Sequence, residues 1–155
     1  MAIIPSESML RISQAAFNQL RRHSEETYPQ ECCGVLLGAA NAQKDERVVS
    51  LAIRCSNTRT DSAHNRYNIA PAELIAAQKV ARERGEDVVG FYHSHPDHPP
   101  RWSANDLAEA HWLGCSYVIT AVAKGKAETT NSFVLSGTIE EDKHFQDEPI
   151  EVTEP

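Results

Sequence analysis

Two histidines, His93 and His95, stand two residues apart, and an aspartate, Asp106, follows them closely. If the histidines lie on an extended strand, residues i and i+2 face the same side, and both imidazoles can reach one point. A carboxylate on the first turn of a following helix can then complete a three-donor set. Two imidazoles and one carboxylate, with a fourth position open to water, is how catalytic zinc sites are built. Such a metal lowers the pKa of its water towards neutrality and so makes hydrolysis accessible at neutral pH. Hard, oxygen-seeking cations fit a two-histidine set poorly, which makes zinc the expected ion. The same residues are also compatible with a solvated His-rich loop and with an aspartate that only caps the positive end of its helix.

The surrounding sequence supplies the elements such a site needs. Residues 87–95, DVVGFYHSH, are rich in β-branched and aromatic side chains and predict a strand that ends on the two histidines. Residues 96–102, PDHPPRW, predict a loop that three prolines make stiff. Ser103 is a preferred N-cap residue and places Asp106 at the third helical position. The predicted helix carries Leu107, Ala110 and His111 and ends near Gly114. Within the loop, His98 and Trp102 read as surface and as a packing anchor respectively. His64 and Tyr67 precede the second helix, and no contact is assigned to them.

Upstream, Ser13 predicts the cap of a first helix with Ala16, Phe17 and Leu20 at helical spacing. Arg21, Arg22 and His23 stand near its expected end, with Pro29 beyond as a stop. Residues 31–38, ECCGVLLG, and 47–55, RVVSLAIRC, read as two paired strands. Residues 66–70 are a candidate short strand. Pro71 opens a second helix that ends at Gly85. Residues 115–123 and 132–135 read as further strands. The organisation expected is one domain over 1–140. An acidic tail, 141–155, then either pairs as an edge strand at Ile150–Val152 or frays. Helices and strands mix without strict alternation, so the fold class is α/β in the mixed, α+β sense.

Composition narrows the function classes. The chain has 155 residues and a net charge of −7, with no long basic run, which argues against a nucleic-acid partner. No apolar run approaches the roughly 18 residues of a membrane span. The N-terminal decapeptide lacks the basic and apolar regions of an export signal. The four cysteines, Cys32, Cys33, Cys55 and Cys115, form no CxxC pair, and adjacent Cys32 and Cys33 would point to opposite faces of a strand. Buried reduced thiols and a cytoplasmic location are expected.

The pattern His93, His95, Pro96, then 97–102, Ser103 and Asp106 resembles the JAMM motif of MPN+ metallopeptidases, of the small stand-alone prokaryotic type. The segment Pro29-Gln30-Glu31-Cys32-Cys33-Gly34 is similar to the one that carries the upstream glutamate of that family. The similarity runs from about Ser13 to Ala123. It implies an MPN-like central mixed sheet flanked by helices, in a layout related to that of the cytidine deaminases. It further implies zinc held by His93, His95 and Asp106, with Glu31 as acid/base and Ser103 as oxyanion donor. The implied activity is hydrolysis of an amide bond at the C-terminus of a ubiquitin-like or sulfur-carrier protein, by tail trimming, isopeptide cleavage or release of one amino acid. The alternative is a non-catalytic MPN-type interaction module, whose members generally lack some ligands. Zinc deaminases require HxE together with PCxxC, and no PCxxC occurs. RadC-type proteins share the motif but usually carry additional DNA-binding helices.

Overall fold

The computed structural model describes residues 8–59 and 66–154. In chain order the elements are β1 (Met9–Ser13), α1 (Gln14–Thr27), β2 (Cys33–Asn41), β3 (Glu46–Cys55), α2 (Pro71–Glu83), β4 (Asp87–Pro96), α3 (Ala104–Glu109), β5 (Ser116–Ala123), β6 (Lys126–Ser136), β7 (His144–Glu148) and β8 (Ile150–Thr153). All eight strands join one sheet in the order β7-β6-β5-β4-β2-β3-β1-β8. β1 runs parallel to β3 and β8, and β4 runs parallel to β5. The other neighbours are antiparallel. The fold class is therefore mixed α/β.

Strands β7 and β8 are joined through Pro149 alone, yet they sit at opposite edges of the sheet. The sheet must curl for this to hold, and the Leu10 N–H donates to the Pro149 carbonyl at 3.0 Å where the edges approach. A buried ion pair spans the curl. Arg47 on β3 donates to the Glu148 carboxylate of β7 at 2.9 Å, and Ser116 of β5 and Ser132 of β6 donate to its other oxygen at 2.5 and 2.7 Å. The Ser8 hydroxyl is a further partner of Glu148.

The sheet is buried on both faces because helices cover both. Leu10, Ile12, Leu20, Cys32, Leu36, Val49 and Tyr92 form one core with α1. Cys33, Val35, Leu37, Ala77, Ala81, Phe91 and Tyr117 form the other with α2. Strand alternation thus sends Cys32 and Cys33 into different cores, and all four cysteines are free and buried. At Gly34 the Tyr92 ring lies where a Cβ would fall, 2.1 Å from its nearest carbon, so only glycine fits that crossing.

Several elements differ from the sequence-based expectation. Strand β1 carries no local signal that distinguished it, since its five residues gain their ladder from partners far along the chain. Helix α1 continues a turn beyond His23, with the Ser24 and Thr27 hydroxyls bonded back to the carbonyls of Leu20 and His23 at 2.8 and 2.9 Å. Residues 66–70 form no strand. They are held by hydrogen bonds to Asn57 and Thr58. Helix α3 ends at Glu109, because Ala110 turns extended and becomes buried, leaving His111 outside the helix. Strand β6 begins at Lys126, well before Ser132. No described helix is long and apolar enough to cross a membrane.

Candidate metal centre

Strand β4 is the platform. Its register sets His93 opposite Cys33 of β2 on one side and opposite Ile119 of β5 on the other. His93 and His95 emerge on the same face, 2 % and 7 % exposed. Their Nε2 atoms lie 3.2 Å apart. Asp106 meets both from the first turn of α3, with Oδ1 3.3 Å from His93 Nε2 and Oδ2 3.1 Å from His95 Nε2. Among the described residues these three form a group able to hold a metal, every ligand atom lying within 4.8 Å of the others.

The chemistry of this donor set fits a bound cation. His95 Nδ1 lies 2.8 Å from the Pro99 carbonyl, an oxygen that can only accept, so Nδ1 carries the proton. His95 Nε2 then faces the Asp106 carboxylate and His93 Nε2. With a lone pair on each imidazole the set offers a cation three donor atoms at one point; without a cation, a proton on an imidazole can bridge to the carboxylate. Burial alone would raise the Asp106 carboxyl, but His93, His95 and the Ser103 N–H hold it well below the usual carboxylate range. Burial works against charge on His95, yet Asp106 and the Pro99 carbonyl lift its pKa above the ordinary value.

Glu31 sits at the mouth of β2, 3 % exposed, and its Oε1 has no hydrogen-bond partner. Burial pushes its pKa up from 4.5 to about 7, against the pull of His93 and His95. Ser103 caps α3 in a reciprocal box. Its Oγ accepts from the Asp106 N–H at 3.0 Å, and the Asp106 carboxylate accepts from the Ser103 N–H at 2.9 Å. The cap occupies a lone pair of the hydroxyl and leaves its O–H free to donate. Glu31, His95 and Ser103 share a cavity of about 550 Å³ with His98, Pro99, Arg101, Trp102 and Asn105. His98 is exposed on its rim, and Trp102 is 38 % exposed with its ring 5.5 Å from that of Phe145. His64 lies outside the described residues.

Three contributions escape sequence reasoning. Tyr67 stacks on His93 with ring centroids 4.5 Å apart and walls off one side of the centre. Burial pushes its phenol well above the ordinary range, which keeps it protonated. Ser94, between the two histidines, accepts from the Cys32 N–H at 2.9 Å and ties β4 to the segment carrying Glu31. The Pro99 carbonyl fixes the His95 tautomer. A polar residue between two candidate ligands was the one available hint.

A family profile described as prokaryotic homologs of the JAB domain matches residues 13–136. The chain belongs to this JAB family, the JAMM/MPN group. A relative named desampylase, from Haloferax volcanii, is 34 % identical over 118 residues, covering 74 % of this chain and 81 % of its own. The CysO-cysteine peptidase of Mycobacterium tuberculosis is 23 % identical over 138 residues, covering 88 % of this chain and 86 % of its own. A solved protein from Desulfitobacterium hafniense superposes with a TM-score of 0.75 at 24 % identity, covering 94 % of both chains, and shares the fold. The JAB profile spans α1 to β6, and so contains every candidate site residue named above.

Proposed function

We propose that this JAB-family chain is a zinc-dependent peptidase acting on an amide bond at the C-terminus of a ubiquitin-like or sulfur-carrier protein. The observation that carries this reading is the convergence of two imidazoles and a carboxylate beside a buried carboxyl with one oxygen unpartnered. The names of the relatives, a desampylase and a CysO-cysteine peptidase, support the substrate class. The complete donor set speaks against a purely structural MPN-type module. Four free buried thiols support a reducing compartment such as the cytoplasm.

His93, His95 and Asp106 would hold the zinc. Bound there, it would supply Lewis acidity, polarising the scissile carbonyl and lowering the pKa of a water. The Glu31 carboxylate takes a proton from the attacking water and passes it to the leaving amine. Burial, which raises its pKa in the metal-free chain, suits a carboxyl that must both accept and release a proton. The Ser103 hydroxyl donates to the carbonyl oxygen as negative charge develops there, while its lone pair continues to cap α3. Asp106 and the Pro99 carbonyl keep the imidazoles aimed and His95 in one tautomer.

The test is elemental analysis of the purified protein beside His95→Ala, with both assayed on a sulfur-carrier protein extended by one residue past its Gly-Gly end. About one zinc per chain, lost in His95→Ala together with cleavage, is expected. An intact chain that takes up no zinc even when zinc is supplied overturns the proposal. Zinc without cleavage of this substrate retains the centre and rejects the substrate class.

A further inference from the structure

Among the described residues no side-chain hydrogen bond aims Glu31 Oε1, yet a proton carrier must stand within hydrogen-bond reach of its water. Its direction is therefore inherited from the backbone. The peptide that follows Glu31 is gripped from both sides. Its carbonyl, on Glu31, accepts from Asn57 Nδ2 at 3.1 Å. Its N–H, on Cys32, donates to Ser94 Oγ at 2.9 Å. Asn57 stands just beyond the end of β3, and Ser94 lies between the two metal-ligand candidates on β4. The peptide plane is thus referenced directly to the strand that carries the histidines.

Asn57 is fully committed. Its second donor bond goes to the Arg66 carbonyl at 3.0 Å, and its oxygen accepts from the Arg59 and Asn68 N–H groups at 3.0 and 3.1 Å. A carboxamide can make two donor and two acceptor bonds of this kind, and here it makes them all. No other residue type of this size offers both. Ser94 is fully buried, and its own N–H donates to the Cys32 carbonyl at 3.3 Å, which closes a second link to the same segment.

We infer that Asn57 and Ser94 are positioning residues, a two-sided clamp on the Glu31–Cys32 peptide that aims the Glu31 carboxyl at the metal centre. The inference rests on the reading of Glu31 as the proton carrier. The clamp acts on the chemical step and leaves both the metal ligands and the substrate cavity in place. A misplacement of about 1 Å in a catalytic group can lower a rate by about a hundredfold.

Asn57→Asp is the sharpest probe, because it keeps the shape and both acceptor bonds and removes both donors. Zinc content, kcat, KM and the exchange rate of the Cys32 amide proton by NMR are measured for Asn57→Asp, Asn57→Ala, Ser94→Ala and Ser94→Thr. In the Asn57 variants and Ser94→Ala, kcat should fall about 10- to 100-fold, with KM within about threefold and zinc unchanged. Cys32 exchange should quicken about tenfold in Asn57→Asp, although Asn57 does not itself touch that N–H. Ser94→Thr, which keeps the hydroxyl, should recover most of the lost kcat. A folded, zinc-loaded Asn57→Asp with wild-type kcat, or with unaltered Cys32 exchange, overturns the clamp. If the wild-type chain cleaves no amide, the peptidase reading fails and the positioning role falls with it, whereas wild-type cleavage with unaltered kcat in Asn57→Asp overturns the clamp alone.

Discussion

Replacing Glu31 by glutamine separates the chemical task of this carboxyl from its effect on the fold. In the metal-free protein the unfolded chain releases the Glu31 proton near 4.5 and the folded chain near 7, because burial disfavours the charge. Below pH 4.5 both states hold the proton, and the group leaves stability untouched. As pH rises from 4.5 to 7 only the unfolded state ionises, and the folded state loses stability through that window. Above 7 the loss is complete at about 3 kcal/mol. A glutamine does not titrate. Metal-free Glu31→Gln should therefore exceed the metal-free wild type by about 1–3 kcal/mol at pH 8, the lower value allowing for buried amide donors without partners. The advantage should have largely vanished at pH 5. Urea unfolding at the two pH values, followed by tryptophan fluorescence, gives both numbers. Loaded with zinc, the same variant should keep its metal and lose about 10²–10⁴-fold in kcat. A variant whose stability difference from wild type is the same at pH 5 and pH 8 would refute the picture of a buried, unpartnered carboxyl.

Ser103→Gly and Ser103→Ala should lower kcat equally, by about 10²–10³, because both delete the donating hydroxyl. They should differ in stability, since a glycine cap costs a few tenths of a kcal/mol and an alanine about 1. Unequal rates that track stability would assign Ser103 to capping alone. Glu148→Ala should destabilise by about 3–5 kcal/mol in chemical denaturation by stranding Arg47, whereas Arg47→Met combined with Glu148→Leu should recover much of that. A loss under about 1 kcal/mol for Glu148→Ala argues against the cross-sheet tie. His23 is held at about 4, below its ordinary 6.5, by burial and by Arg54, while its ring nitrogen meets the Tyr92 hydroxyl at 2.7 Å. The unfolded chain takes up a proton here as pH falls through 6.5, and the folded chain does so only near 4. This group's own contribution to wild-type stability should therefore fall by about 1–2 kcal/mol across that window, after allowance for solvent screening and set against the gain from Glu31. In His23→Leu this loss should be missing when urea midpoints at pH 7 and pH 4.5 are compared.

Local patterns carried a good part of the molecule. The His93–His95 spacing needs only the two-residue period of a strand. Ser13, Ser103, Pro71 and Gly85 mark helix ends through their own side-chain and backbone chemistry, and α1, α2 and α3 begin or stop where these residues stand. Extended-chain alternation into β2 likewise separates Cys32 from Cys33 without any knowledge of what covers each face. Glu31 is different in kind. Nothing in its neighbourhood marks it, and it was singled out through family resemblance. Only the antiparallel register of β2 on β4, Cys33 opposite His93, brings it to the histidines.

The lengths of α1, α3 and β6 and the existence of β1 were likewise settled by packing, because a ladder or a buried face gained from a distant segment outweighs weak local preference. The same holds for the contacts that refine the centre. The Tyr67 ring on His93 and the Asn57 and Ser94 bonds to one peptide join segments that adjoin only once the strands have paired, and the Pro99 carbonyl reaches His95 only when the following loop folds back. Donor types and their spacing along one strand are properties of the chain. Their convergence, their burial and the raised pKa of Glu31 are properties of the sheet, because pairing register and exclusion of water are non-local.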